Sequence, residues 1–564
     1  MNFSKIPLAE WVDALISWMQ THFGGLFKVI SGIIEPIVAF FQGIFSVLPP
    51  LGTILLISLL TWWLTRLRIA IFSLIGLLLI DNLGYWDQSI ETLSLVLTSA
   101  IISIIIGVPF GLWAGRSPTA NKIISPILDL MQTMPAFVYL IPAVFFFSLG
   151  AVPGVIASVI FSMPPTIRLT SLGLRQVPGE LREAADAFGS TSFQKLWKVE
   201  IPMAIPTIMA GINQTIMLSL SMVVISAMIG AGGLGALVLQ SITRLQVGQG
   251  FAGGLAIVII AVILDRLTQS LARRNKTTLK KRPRWIGIVA ALVVIALAVV
   301  SFAQTGNESK KRVTLAYVNW DSEVASTHVL KKALESKGFK VEMKQVDAAP
   351  MWQGVASGTV DAHVGAWLPH SSKPLYDAAK NQVDDLGVNL KETRVGLVVP
   401  KYVTINSIEE LNANKDKFHG EIIGIDPGSG LNRYTEQALK KYPLNFKLVS
   451  GSDATMTASL TKAIQEKRWI VVTGWTPHWK FQKYELKFLD DPKKVYGSGE
   501  NIHTIARKGL KEEKPQAYQI IDRFNWTAKD MQEVMMKIHE GMSPDQAAEE
   551  WLSKHPDKLK EWTK

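Results

Sequence analysis

Between residues 51 and 303 the chain strings together eight apolar runs, at 51–65, 68–81, 92–114, 123–149, 153–169, 204–229, 250–271 and 285–303. A helix takes about 20 residues to cross a hydrocarbon core of ~30 Å. Backbone in that core must satisfy its own polar groups, which helices do within one segment. The runs therefore predict an all-α polytopic membrane domain. Residues 305–564 differ: they carry a soluble protein's density of Lys, Glu, Asp and Gln.

That contrast governs how composition is read. The formal charge of +12 is no sign of nucleic-acid binding, because much of the basic excess sits in short loops beside apolar runs, as cytoplasmic loops require. The chain has no Cys, which excludes disulfides, thiol catalysis and a Cys-linked lipid. The N-terminal Met1-Asn-Phe-Ser-Lys-Ile-Pro7 lacks the pattern of a removable signal peptide. From 26 to 48 apolar residues recur at helical spacing with Lys28, Ser31, Glu35, Gln42 and Ser46 between them. That stripe suits a helix lying in the membrane interface; a span kinked at Pro36 is the alternative.

Charge sets the expected orientation. Arg66 with Arg68, and Arg116 with Lys122, mark inside loops, as do the seven positive residues between Arg273 and Arg284. Asp81 to Asp87, with Tyr85 and Trp86, reads as outside. Alternation then places 170–203 inside and everything after the eighth run outside. The domain plan is an interfacial segment at 1–48, a membrane domain at 49–283 with a cytoplasmic loop at 171–203, a last anchor at 284–304, and an extracytoplasmic domain at 305–564.

The loop holds Glu180-Leu-Arg-Glu183-Ala184-Ala185-Asp-Ala-Phe-Gly189, then Val199-Glu-Ile201-Pro202. Glu180 to Phe188 fits a short helix ended by Gly189 in a left-handed cap, and Ser190 or Thr191 suits the cap of a second helix. Small side chains let a partner's groove approach closely. The spacing resembles the coupling loop of binding-protein-dependent ABC importer permeases, with Val199 and Ile201 as conservative departures. The resemblance implies a type I ABC importer permease fold, with Glu183, Ala184, Ala185 and Gly189 at the ATPase contact. No Gly-x-x-x-x-Gly-Lys-Ser/Thr phosphate loop occurs. ATP and Mg then belong to a separate ATPase, expected in two copies, with two copies of this chain forming the pathway. No cofactor is expected in the chain itself.

After residue 311 an α/β pattern repeats. One series is strand 313–318, helix 323–336, strand 341–346, helix 350–357 and strand 360–366. The other is strand 421–425, helix 431–441, strand 446–449, helix 455–467 and strand 470–473. The last strand of each series ends in the same way, Val364-Gly-Ala-Trp-Leu-Pro-His370 and Val472-Thr-Gly-Trp-Thr-Pro-His478, with Trp367 and Trp475 108 residues apart. Two βαβαβ halves describe an α/β bilobal binding protein whose site lies at the strands' carboxyl ends. Trp320 ends the first strand of half one, so three indoles face one cleft. Aromatic faces hold a poorly hydrated quaternary ammonium, each contributing roughly 0.5–2 kcal/mol. Asp426-Pro-Gly-Ser-Gly430-Leu431 opens a helix whose free amides accept an anion.

This half resembles the glycine-betaine-type solute-binding proteins. The chain as a whole resembles osmoregulatory glycine betaine ABC importers in which permease and binding protein are fused, which places it in a bacterial plasma membrane. The resemblance implies a cage of Trp320, Trp367 and Trp475, with Gly430, Leu431 and His370 on the solute's carboxylate. His478 matches His370 through the repeat, whereas Trp352, Trp469 and Trp479 read as ordinary packing. Proline betaine, choline or carnitine are alternative solutes, and a solute-sensing receptor is an alternative role. No catalytic residues and no metal-ligand cluster are expected.

Overall fold

A computed structural model of the chain describes residues 7–243, 246–272 and 311–564. The eighth apolar run, the basic stretch before it and the linker after it lie outside the described residues. The chain divides into two compact units, residues 1–239 with 248–306, and residues 240–247 with 307–564.

The first unit is helical. Among the described residues five helices are long and apolar enough to cross a membrane, Glu10–Ser46, Trp86–Arg116, Ala151–Arg175, Ser192–Ile229 and Val247–Ser270. Small residues set how closely its central helices pack. Gly107, Gly111 and Gly115 recur every fourth residue on Trp86–Arg116 and meet Thr166, Thr170 and Leu174 on Ala151–Arg175. A Cβ at Gly111 would lie 2.5 Å from the Thr170 Cβ, so this crossing depends on glycine as close membrane-helix contacts do. Buried hydroxyls tie Ala151–Arg175 to Ser192–Ile229: Ser219 Oγ donates to Ser162 Oγ at 2.8 Å, and the Thr166 and Thr215 hydroxyls lie 2.7 Å apart.

Two expectations change here. The run 123–149 is not one straight helix, because Pro118–Thr133 and Ala136–Phe147 meet at 98°. Pro135 has no N–H and holds Met134 extended, at ψ 133°, as a residue before proline prefers. A short helix, Gly233–Thr243, also forms where no span was expected. At the N-terminus one 39-residue helix, Leu8–Ser46, runs through Pro36 without breaking. Ile34 from its stripe, together with Val38, is buried against Leu95, Val96, Val152 and Val155.

The second unit is α/β. Its strands are β1 (Arg312–Tyr317), β2 (Lys340–Gln345), β3 (Ala362–Leu368), β4 (Val383–Pro400), β5 (Glu421–Ile423), β6 (Lys447–Val449), β7 (Val472–Thr476), β8 (Leu486–Phe488) and β9 (Glu500–Arg507). The order is β2-β1-β3-β9-β4-β7-β5-β6, with β8 on β4. Both expected series of strand and helix are present. Strands β2, β1 and β3 run parallel in one half, and β6, β5 and β7 in the other. Strand β4 joins them, pairing antiparallel with β9 through Val383–Thr393 and with β7 through Arg394–Val398. After β9 come amphipathic helices and their connections, from which Phe524, Trp526, Trp551 and Trp562 are buried in the core. Trp551 and Trp562 stack with ring centres 6.0 Å apart.

Candidate functional site

Strand β1 ends into helix Asp321–Glu335, whose N-cap is Trp320. Glu323 in the first turn reaches back, its Oε2 accepting the Val318 N–H at 2.7 Å, while the Trp320 N–H donates to the Val318 carbonyl at 2.8 Å. The turn is thereby held, and Trp320 projects beyond the strand. Trp367 lies in β3 opposite Ile502, and Trp475 in β7 opposite Val395. Both are almost fully buried.

These three rings wall one cavity, completed by Ser322, Ser371, Ser372, Val395, Ile425, Ser429, Gly430 and Leu431. Of the six residues expected here, five come together: Trp320, Trp367, Trp475, Gly430 and Leu431. His370 does not line the cavity. Its ring packs on Gly497, where a Cβ would lie 2.8 Å from its Cδ2. The match through the repeat is loose as well, since His478 is fully buried and Trp475 lies edge-on to it at 4.7 Å.

Helix Gly430–Lys441 begins at the cavity wall. Ser429 caps it by accepting the Asn432 N–H at 3.1 Å, and the first amides of a helix have no partner within it. Gly430 is required by contact rather than by conformation. A Cβ there would lie 2.4 Å from the Ser371 carbonyl oxygen, so the loop after β3 rests directly on the start of this helix. Arg433 Nη2 donates to the same carbonyl at 2.8 Å. Gly428, by contrast, has open space around it.

The two halves are thus bridged around the cavity. Trp320 Nε1 donates to Asp426 Oδ2 at 2.8 Å. Trp479 Nε1 donates to Asp321 Oδ2 at 2.5 Å, and the Asp321 N–H to Asp453 Oδ2 at 3.1 Å. Each bond spans more than 100 residues of sequence, and sequence reasoning missed all three. Trp479, read as ordinary packing, is a cross-lobe donor. The available signal was its place directly after the second Trp-x-Pro-His.

Titratable groups around the cavity are strongly perturbed. Burial raises Glu500 to about 7, against the pull of Ser371, whose N–H and Oγ–H both donate to its Oε1. Burial lifts Asp453 to about 6 and lowers Lys480 to about 8, while the charge of each opposes the other's shift. His478 is held well below its ordinary value by burial and by Lys480. Asp321, Asp453 and His478 bring their ligand atoms within 4.8 Å of one another. Lys480 supplies positive charge there, its Nζ 4.2 Å from the Trp475 ring centre. The group reads as a cross-lobe ion cluster.

In the helical unit the segment 176–203 forms the expected elbow. Helix Gly179–Ala187 is followed by Gly189 at φ +71°. Thr191 then caps the next helix in a reciprocal capping box with Gln194. Glu183, Ala184 and Gly189 are exposed and Ala185 is buried. Buried Glu200 anchors the elbow, pairing with Arg116 at 2.9 Å and Arg182 at 3.2 Å. Phe188, Phe193 and Trp197 project from it at 89%, 69% and 55% exposure.

Residues 107–277 match the family described as the binding-protein-dependent transport system inner membrane component, and 311–554 the substrate-binding domain of ABC-type glycine betaine transport systems. The chain is 55% identical to a glycine betaine transport system permease protein of Bacillus subtilis, covering 48% of this chain and 97% of that one. It is equally 55% identical to a glycine betaine/carnitine transport permease of Listeria monocytogenes, over 49% and 99% of the two chains. A lactococcal binding protein solved closed around glycine betaine is 46% identical, covering 45% of this chain and all of that one, with a TM-score of 0.43.

Proposed function

The chain belongs to the glycine betaine ABC importer permeases, here with a solute-binding domain in the same polypeptide, and from that premise we propose that it captures glycine betaine outside the cell and passes it inward through a paired permease. The observation that carries this reading is the cavity, where three indoles from different strand ends meet the start of a helix. A trimethylammonium group has no N–H to donate and is weakly hydrated, so aromatic faces suit it, each contributing roughly 0.5–2 kcal/mol. The solute's carboxylate suits the free amides of Gly430 and Leu431. Cross-lobe bonds from Trp320 and Trp479 then favour the halves closed around the bound solute.

Transport needs energy from elsewhere, since the sequence has no phosphate loop. A separate ATPase, holding ATP and Mg, would bind at the elbow, where exposed Phe188, Phe193 and Trp197 flank the small-residue helix 179–187. Two copies of each chain form the importer in this reading. Orientation rests on the basic loops and requires the bent pair 118–147 to cross once. Were it re-entrant, residues 170–203 and 116–122 would fall on opposite sides.

Fluorescence titration of the full chain with glycine betaine tests the cage. Intrinsic Trp emission should change on binding, and Trp367→Ala or Trp475→Ala should weaken affinity at least about tenfold. Wild-type affinity in both variants would sink the reading.

A further inference from the structure

Asp426 follows β5 and is not among the residues that line the cavity. It sits behind Trp320, whose Nε1 donates to its Oδ2 at 2.8 Å. Burial raises its pKa and the nearby Asp453 carboxylate raises it further, while the Trp320 N–H lowers it. Asp347 is raised too, by its own burial and by Asp426. Carboxylates therefore gather behind the cage, and none of them lines it.

We propose that Asp426 makes the cage selective for a cation, acting through the indole of Trp320. The inference rests on the cage reading above. An N–H donated to a carboxylate is a charge-assisted bond, stronger than one to a neutral acceptor, and a water-poor setting strengthens it again. The bond drives electron density on to the indole. Attraction between a cation and a ring is electrostatic, so a more negative ring face holds a quaternary ammonium more tightly. A neutral head of the same shape gains only burial and dispersion from that face, which the carboxylate does not alter. Asp426 thus discriminates charge, while the rings discriminate shape. It is a positioning residue that need not touch the solute.

The test compares glycine betaine with tert-butylacetate, in which carbon replaces the quaternary nitrogen, on the full-length protein. Asp426→Asn keeps an oxygen for the Trp320 N–H and removes the charge. Its affinity for betaine should fall roughly tenfold, while binding of tert-butylacetate, followed by competition, should change less than about twofold. Asp426→Glu should keep the wild-type preference. Unchanged betaine affinity in Asp426→Asn, or equal losses for the two ligands, would overturn the proposal. Should the Asn variant fail to fold, Asp426→Ser carries the same comparison. Failure of the cage reading is distinct: it would appear as normal affinity in Trp367→Ala and Trp475→Ala.

Discussion

Gly430 and Gly428 stand two residues apart in one turn, and the structure gives them opposite weights. A Cβ at Gly430 meets backbone of the opposite half at 2.4 Å, whereas one at Gly428 meets nothing. Backbone cannot swing aside as a side chain does, so Gly430→Ala must part the helix from the loop after β3. Titration should show betaine affinity at least about tenfold lower in Gly430→Ala and within about twofold of wild type in Gly428→Ala; equal effects would discount the contact. Glu323 is a second informative residue. Burial raises its pKa to about 8, above that of an unfolded glutamate. The folded state therefore retains a proton that the unfolded state loses, and stability falls as pH rises from about 4.5 to 8. Glu323→Gln keeps an acceptor for Val318 and does not titrate. Thermal unfolding of the variant should depend less on pH across that window, and parallel pH profiles would count against a buried protonated Glu323.

Among the elements, the elbow at 176–203 was the one most legible in advance. Its helix, left-handed glycine and second cap all arise from neighbours within a few residues, and local signals reach that far. Gly189 has φ +71°, a conformation that costs a side-chain-bearing residue about 1 kcal/mol or more, and Glu183 is exposed beside it. Replacing both with Ala should cut ATP-driven uptake of labelled betaine into vesicles at least tenfold, with ligand affinity unchanged. Uptake that survives would remove the coupling assignment. The bend within the run 123–149 was not legible, because hydropathy averages over a break that one proline makes. The packing of Gly107, Gly111 and Gly115 on Thr166, Thr170 and Leu174 also lay beyond reach, since a four-residue glycine spacing does not name its partner.

For the molecule as a whole, the chain's own order already determined a great deal. Apolar runs and loop charges separated a membrane unit from an α/β one, because each depends on composition over 15 to 25 residues. The repeated Trp-x-Pro-His ends and the alternation of strand and helix located two similar halves and the indoles at their strand ends. What tertiary structure alone decided is how the halves are tied. Strand β4 runs from one half into the other, β9 returns to sit between β3 and β4, and Trp320 reaches Asp426 across 106 positions. His370 was drawn toward the cavity by its motif, yet the fold turned it on to Gly497. Such contacts are set by where strands register and how closely backbones approach. These are properties of distant segments brought together, and no pattern within either segment encodes them.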